Sequence, residues 1–490
     1  MSKNIVLCSD GTGQAGGQGY VSNVWRLFKA VDRHSPGKNQ TKNQIVFHVD
    51  GVGSEQGKVM RILGGALGVG LGNDMRQLYA TLVRSYKPGD KIFLFGFSRG
   101  AFTVRSLAGM IHHVGILDVT PDKVDAAVKT AYKAYRKQEN PDVSKEYDLH
   151  KERSIEFVGV WDTVDAIGVP FDELREMYYA LPNALVRKHR AELNSSILNA
   201  YHAMSIDDER KTFHPMVWDE SGFKGTKDKN GNERQVKQVW FAGVHSNVGG
   251  GYPKDSLSYI SLDWMMSKAN KCGLVFLDSK WKSYGSIKDF GDYQEQADKN
   301  GRIYDSRGGG GVYYRYKPRD MDELWKKSKT GEPATVHESA LMRIQAGSTA
   351  YAPTAITGDF ETVPTHSSDI QPITDRPDLG DAWHAICWRR VLYYGLVIWT
   401  LAFVLAGVFM DNKAGDPCEG NAVCIGLTGV FKGMLPDFTY EWIDSFGANG
   451  IAFWGFMGVL TVMAIVRKKL KRATESAASQ AWSKVTIEPK

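Results

Sequence analysis

The stretch Lys91-Ile92-Phe93-Leu94-Phe95-Gly96-Phe97-Ser98-Arg99-Gly100-Ala101 constrains this chain more than any other. An apolar run of strand character stops at Gly-x-Ser-x-Gly, and a helical run through Arg105, Leu107 and Ile111 follows at once. Strand, tight turn and helix with a serine at the apex predict a nucleophile elbow. The turn is so sharp that Gly96 and Gly100 must lack side chains for strand and helix to approach. Ser98 Oγ is then pushed out above the sheet. The Arg99 backbone N–H, at the helix N-terminus, points where an oxyanion would form.

Three further strand ends supply partners. Ile5 to Ser9 reads as a buried strand closed by Asp10-Gly11-Thr12-Gly13. Gly11 and Thr12 are candidates for a second oxyanion donor, and Asp10 either orients that loop or simply forms the turn. Glu156 to Trp161 is a strand ending in Asp162-Thr163-Val164-Asp165. An acid just past a later strand suits a triad carboxylate; Asp162 is preferred and Asp165 is the reserve. Gln238 to Val244 is a strand followed by His245 and a glycine-rich loop, a good setting for a general base. The segment from Asn183 to Asp208 is expected to be largely helical and to carry His202, a candidate support for the site. Ser98, Asp162, His245 is the chain order of α/β-hydrolase triads. The expected fold class is therefore α/β, an α/β-hydrolase-like, mostly parallel sheet flanked by helices.

Other chemistries find little footing. The glycine run Gly64 to Gly72 follows no strand directly and ends in no Gly-Lys-Ser/Thr, so it is not read as a nucleotide site. It reads either as an apolar flap or as tight helix packing through small residues. A net charge of +6 on 490 residues, with no basic stripe, argues against nucleic acid. The five cysteines show no zinc spacing, and neither a metal nor a cofactor is expected.

Two uncharged runs suggest a membrane module: Val391 to Met410 and Ile451 to Val466. Arg389-Arg390 precede the first, and Arg467-Lys468-Lys469 follow the second, while the intervening loop is acidic. The expectation is a two-pass membrane protein, with the catalytic domain and C-terminus cytoplasmic and loop 411–449 outside. Cys418 and Cys424 in that loop form either a disulfide or two free thiols. The expected domains are a catalytic domain at 1–363, a linker at 364–388, and a transmembrane hairpin at 389–472 with spans at about 391–410 and 450–466. A polar tail at 473–490 completes the chain. Tyr313-Tyr314-Arg315-Tyr316 resembles a short strand, after a glycine-rich connector at Arg307 to Gly311.

Five blocks in register resemble the catalytic domain of the type VI secretion lipase effectors. They are Ser9 to Thr12, Gly96 to Ala101, Val160 to Val164, Ser205 to Arg210, and Gly243 to Tyr252. The resemblance covers roughly residues 3–360 and implies a serine esterase, of phospholipase A type, acting on membrane glycerophospholipids. Ser98 matches the nucleophile motif, Asp162 the acid of the Trp-Asp-Thr block, and His245 the glycine-rich histidine motif. The family usually has Asp where Asn247 stands. The implied partners are a secretion-system or immunity-type protein, and a homo-oligomer through the hairpin is a further expectation. Two alternatives stand beside this reading: a membrane-disrupting or assembly protein whose hydrolase fold is a sensor or scaffold, and a hydrolase of soluble esters.

Overall fold

The computed structural model describes residues 2–11, 19–33, 43–50, 70–137, 143–165, 191–228, 230–277, 297–347, 350–366, 371–373, 376–409, 421–434, 440–448 and 450–485. The chain divides into two compact units, Met1–Pro377 with Trp482–Lys490, and Asp378–Ala481.

The first unit is built on one sheet. Its strands are β1 (Lys3–Ser9), β2 (Asn43–Val49), β3 (Lys91–Phe97), β4 (Ile155–Trp161), β5 (Ile197–Ser205), β6 (Gln235–Phe241), β7 (Ala334–His337), β8 (Phe360–Val363) and β9 (Gln371–Ile373). The order is β2-β1-β3-β4-β5-β6-β7-β8-β9. All pairs are parallel except β8 with β9. Alternate residues of each strand point to opposite faces. Ile5, Leu7, Ile92 and Leu94 meet the helices Leu71–Ser85, Arg99–Val114 and Val124–Lys137 in one core. Val6, Cys8, Phe93, Phe95 and Phe97 meet Asn23–Ala30 and Ser256–Lys271 in the other. Covered on both faces, the central strands read as unbroken apolar runs. Strand order reverses between β1 and β3, and the crevice beyond the strand ends at such a switch point is where this architecture takes ligands.

Several local expectations are corrected. Ile197–Ser205, expected in a helix, is the central strand β5, hydrogen-bonded to β4 and β6. Its Leu, Ala and Met residues favour helices in isolation, but a slot open between two strands decides the conformation. The Tyr313–Tyr316 segment is no strand. Gly309–Tyr313 forms a 3-10 turn, which also takes in part of the expected glycine connector. Tyr316 pairs with Arg210 in an isolated bridge outside the sheet. Of the glycine run, residues 64–69 lie outside the described residues, and a helix starts at Leu71.

The second unit overturns the membrane expectation. It contains helices Gly380–Phe409, Ala422–Met434, Tyr440–Ala448 and most of Gly450–Trp482. Among the described residues no helix is long and apolar enough to cross a membrane. For the second run the shortfall is one of length. Ile451–Val466 is charged from Arg467 onward, and at 1.5 Å per residue it spans roughly 24 Å, short of the ~30 Å hydrocarbon core. The supposed outer loop holds two helices tied by Lys432–Asp444 at 2.6 Å. The two-pass topology, the outside placement of 411–449 and an oligomer through a hairpin all lose their premise. Cys424 is disulfide-bonded, whereas Cys8, Cys272 and Cys387 are free; Cys418 lies outside the described residues. The last helix runs on through part of the expected tail to Trp482, whose indole N–H donates to the Pro353 carbonyl at 2.9 Å.

Candidate active site

Ser98 sits between β3 and the helix Arg99–Val114 with φ 59° and ψ −123°. A non-glycine residue rarely holds positive φ without surroundings that enforce it. Here the enforcement is steric. A Cβ on Gly96 would lie 2.5 Å from the Gly100 carbonyl oxygen and 2.7 Å from the Ala101 backbone, and one on Gly100 would strike the Ser9 and Asp10 carbonyls. Strand and helix therefore close to backbone contact, as the motif predicts. The Ser98 N–H donates to the Trp161 carbonyl at 3.0 Å, tying the turn to β4.

His245 follows β6 after Gly243, whose φ is 112°. Its Nε2 lies 2.8 Å from Ser98 Oγ and its Nδ1 lies 2.6 Å from Asp162 Oδ2. The ring is held by Phe97, at 4.6 Å between centroids, and by the edge of Phe213 at 5.0 Å. Burial lowers its pKa, opposed by the hydrogen bond and charge of Asp162. An ionised Asp162 can only accept, so Nδ1 carries the proton and Nε2 accepts from the Ser98 hydroxyl.

Asp162 is fully buried, at φ 39°. Its backbone N–H donates to Ala203 at 2.7 Å. Its Oδ1 accepts from the Ser205 N–H at 2.9 Å, and its Oδ2 from the Ser205 hydroxyl at 3.2 Å. The guanidinium of Arg319, also fully buried, grips both oxygens at 2.8 Å. Burial pushes the pKa of Asp162 up, but Arg319 and His245 together outweigh it and hold the carboxyl well below its ordinary range.

The segment after β5 supports the histidine turn. Asp207 accepts from the Gly243 N–H at 2.6 Å and from Tyr351 at 2.8 Å. Asp208 accepts from the His245 N–H at 3.2 Å and binds the Arg210 fork at 3.0 and 2.7 Å. Arg210 in turn lies 3.5 Å over the Phe213 ring, the same ring that meets His245.

The remaining sequence candidates fall as follows. Asp10 is buried and accepts from the Gly11 N–H at 2.8 Å, with His48 Nε2 at 3.2 Å from its other oxygen. The Gly11 N–H is thereby committed to Asp10. Gly11 still approaches the serine, since a Cβ there would lie 3.5 Å from Ser98 Cβ. Thr12 lies outside the described residues. Arg99 starts its helix, and burial brings its guanidinium pKa down to about 10. Asp162, not Asp165, is the carboxylate on His245 Nδ1. His202 is not brought to the serine. Its Nε2 accepts from the Thr163 N–H at 3.1 Å, and burial takes its pKa down to about 3, so it braces the loop that carries Asp162 as a neutral ring. Asn247 is fully buried; it donates to the Arg302 carbonyl at 2.9 Å and accepts from the Val244 N–H at 3.3 Å. An aspartate could not make that donation. Among the described residues no group of three or more His, Cys, Asp or Glu could hold a metal ion.

Arg319 escaped the sequence reading entirely. It is one arginine in a polar stretch, and nothing local sets it apart. Ser205, Asp207, Asp208 and Arg210 carried a signal, as one of the five blocks, but no role.

The family described as "T6SS, Phospholipase effector Tle1-like, catalytic domain" matches residues 3–268. A curated relative, the uncharacterized protein YEL023C of Saccharomyces cerevisiae, is 26% identical over 243 residues, 44% of this chain and 33% of its own. The chain thus spans about a third of the length of that relative. Among solved structures, a Tle1 effector bound to the VgrG spike of the type 6 secretion system is similar at TM-score 0.37 and 13% identity. That likeness covers 68% of this chain and 85% of the effector. An uncharacterized protein from Pseudomonas aeruginosa is similar at TM-score 0.37 and 16% identity, over 80% of this chain and 60% of the other. With the family match covering more than half of its 490 residues, the chain belongs to the Tle1-like phospholipase effector family of the type VI secretion system, through its catalytic domain.

Proposed function

We propose that the chain is a serine esterase of phospholipase A type, cleaving glycerophospholipid esters through an acyl-enzyme. The observation that carries this reading is the unbroken relay from Ser98 Oγ through the His245 ring to Asp162, with links of 2.8 and 2.6 Å. Ser98 Oγ attacks the ester carbonyl while its proton passes to His245 Nε2. The imidazolium then gives that proton to the leaving alcohol, and Asp162 holds the Nδ1–H tautomer throughout. Water, deprotonated by His245, adds to the acyl-serine and releases the fatty acid and free Ser98. The Arg99 backbone N–H is the oxyanion donor we assign, an interaction worth on the order of 3 kcal/mol. Gly11 can join it only by giving up its bond to Asp10. The family also brings a secretion-system protein into the proposal as a partner.

The test is fatty-acid release from glycerophospholipid vesicles by the wild type and by Ser98→Ala. The expected loss is about 10⁴-fold or more. Equal rates in the two proteins would remove the nucleophile. Activity on a soluble short-chain ester with none on vesicles would keep the hydrolase and discard the lipid. Mass spectrometry of the products reads the acyl position cleaved.

A further inference from the structure

In a Ser-His-Asp relay the carboxylate stabilises the imidazolium that forms during reaction. Here that carboxylate already faces a second cation. Arg319 Nη1 donates to Asp162 Oδ1 and to the Ser205 carbonyl, while Nη2 donates to Asp162 Oδ2 and to the Phe213 carbonyl. The segment carrying it is laced to the one carrying Asp208. Lys211 N–H donates to Arg315 at 3.0 Å and Lys317 N–H to Glu209 at 2.9 Å, while Met321 N–H ties the far end of the segment to Ala355 at 2.8 Å. The guanidinium therefore approaches from a braced backbone with little freedom to turn. A second pairing lies on the other side of His245. Asp208, which accepts its backbone N–H, is matched by Arg210. Asp207 sits under the Gly243 turn. Each of the two carboxylates that bond to His245 thus has its own arginine.

We propose that Arg319 is a positioning residue. Its fork sets the plane of Asp162 against His245, and its charge offsets that of Asp162, so that the imidazole stays neutral and able to accept the serine proton in acid. This rests on the Ser98–His245–Asp162 relay proposed above. Without the guanidinium, a buried carboxylate is left whose nearest available cation is the imidazolium. Protonation of His245 is then favoured and the base is lost at higher pH. A lysine restores charge but not the planar fork, because an ammonium is a point donor on a flexible stem.

The experiment is the pH profile of kcat/KM on a soluble short-chain ester for wild type, Arg319→Met and Arg319→Lys. The wild-type acidic limb is expected below about 6.5, the ordinary histidine value. Arg319→Met is expected to move that limb up by about one pH unit or more. Arg319→Lys is expected to keep the wild-type limb and lose about 10- to 100-fold in kcat with KM unchanged, as a misplacement of up to about 1 Å does. An unshifted limb in Arg319→Met would overturn the charge role, and an unchanged kcat in Arg319→Lys would overturn the positioning role. Should Arg319→Met fail to fold, a wild-type limb at or above about 6.5 overturns the charge role by itself. Failure of the underlying relay reads out separately, as Ser98→Ala retaining full activity.

Discussion

The two sides of the candidate site are built by different physics. On the nucleophile side, Ser98 is placed by backbone sterics: two glycines, a tight turn and a helix that starts at the next residue. On the acid–base side, Asp162 and His245 are placed by charge. Arg319 reaches Asp162 across 157 positions of sequence, and Arg210 and Asp208 brace the histidine turn. The first side is closed by backbone packed against backbone, within the elbow and against the end of β1. The second is assembled from distant segments and depends on keeping buried charges paired.

Substitutions at either side can break this contrast. The largest effect on folding is expected at Gly96→Ala, where the new methyl meets backbone rather than a side chain that could turn away. We expect a loss of at least about 3 kcal/mol, read in denaturant melts. A melt within about 1 kcal/mol of wild type would show that the elbow is not sterically closed.

Next is Asp208→Asn, which leaves Arg210, only 13% exposed, without its counter-charge. Removing one partner of a buried pair costs about 3–5 kcal/mol. A loss larger than that of Gly96→Ala would show the charge-paired side to be the more tightly determined. Activity of the folded fraction should fall as well, because the His245 N–H weakens its anchor. Full activity with unchanged stability would mean that the charge pairs are incidental.

The smallest effect separates two neighbouring acids. Burial raises the pKa of Asp207 to about 6. Burial also works to raise that of Asp208, but Arg210 outweighs it and holds the value at about 2. The signs are opposite. Between about pH 4 and 6 the folded protein keeps a proton on Asp207 that the unfolded chain has lost, so this contribution to stability falls as pH rises through that window. The contribution of Asp208 is present above about pH 4 and is lost as pH falls toward 2. Asp207→Asn should therefore flatten the stability profile between pH 4 and 6, in urea melts at pH 4.5 and 7. An equally steep profile in the variant would assign the slope to another group.

What could be read ahead of the structure follows the same division. Ser98, Asp162 and His245 each close a run of apolar residues, and a polar residue at the end of a buried strand stands out in one dimension. β5 was misread because a strand buried on both faces shows no alternation, and its Ala, Leu and Met residues suit a helix equally well. β7, β8 and β9 are too short for a periodic signal. The uncharged runs near the C-terminus are visible in the sequence, but among the described residues they form no helix long and apolar enough to cross a membrane.

The sequence by itself determined the elbow and the strand ends at which Ser98, Asp162 and His245 stand, because a polar residue closing an apolar run is a signal within a few positions. Only the tertiary structure decided that Asp162 is shared between an imidazole and a guanidinium. It also decided that Asp207 and Asp208 titrate apart and that His202 is a brace. The reason is electrostatic: the fate of a buried charge depends on what lies within a few ångströms, and those neighbours come from segments far apart in the chain.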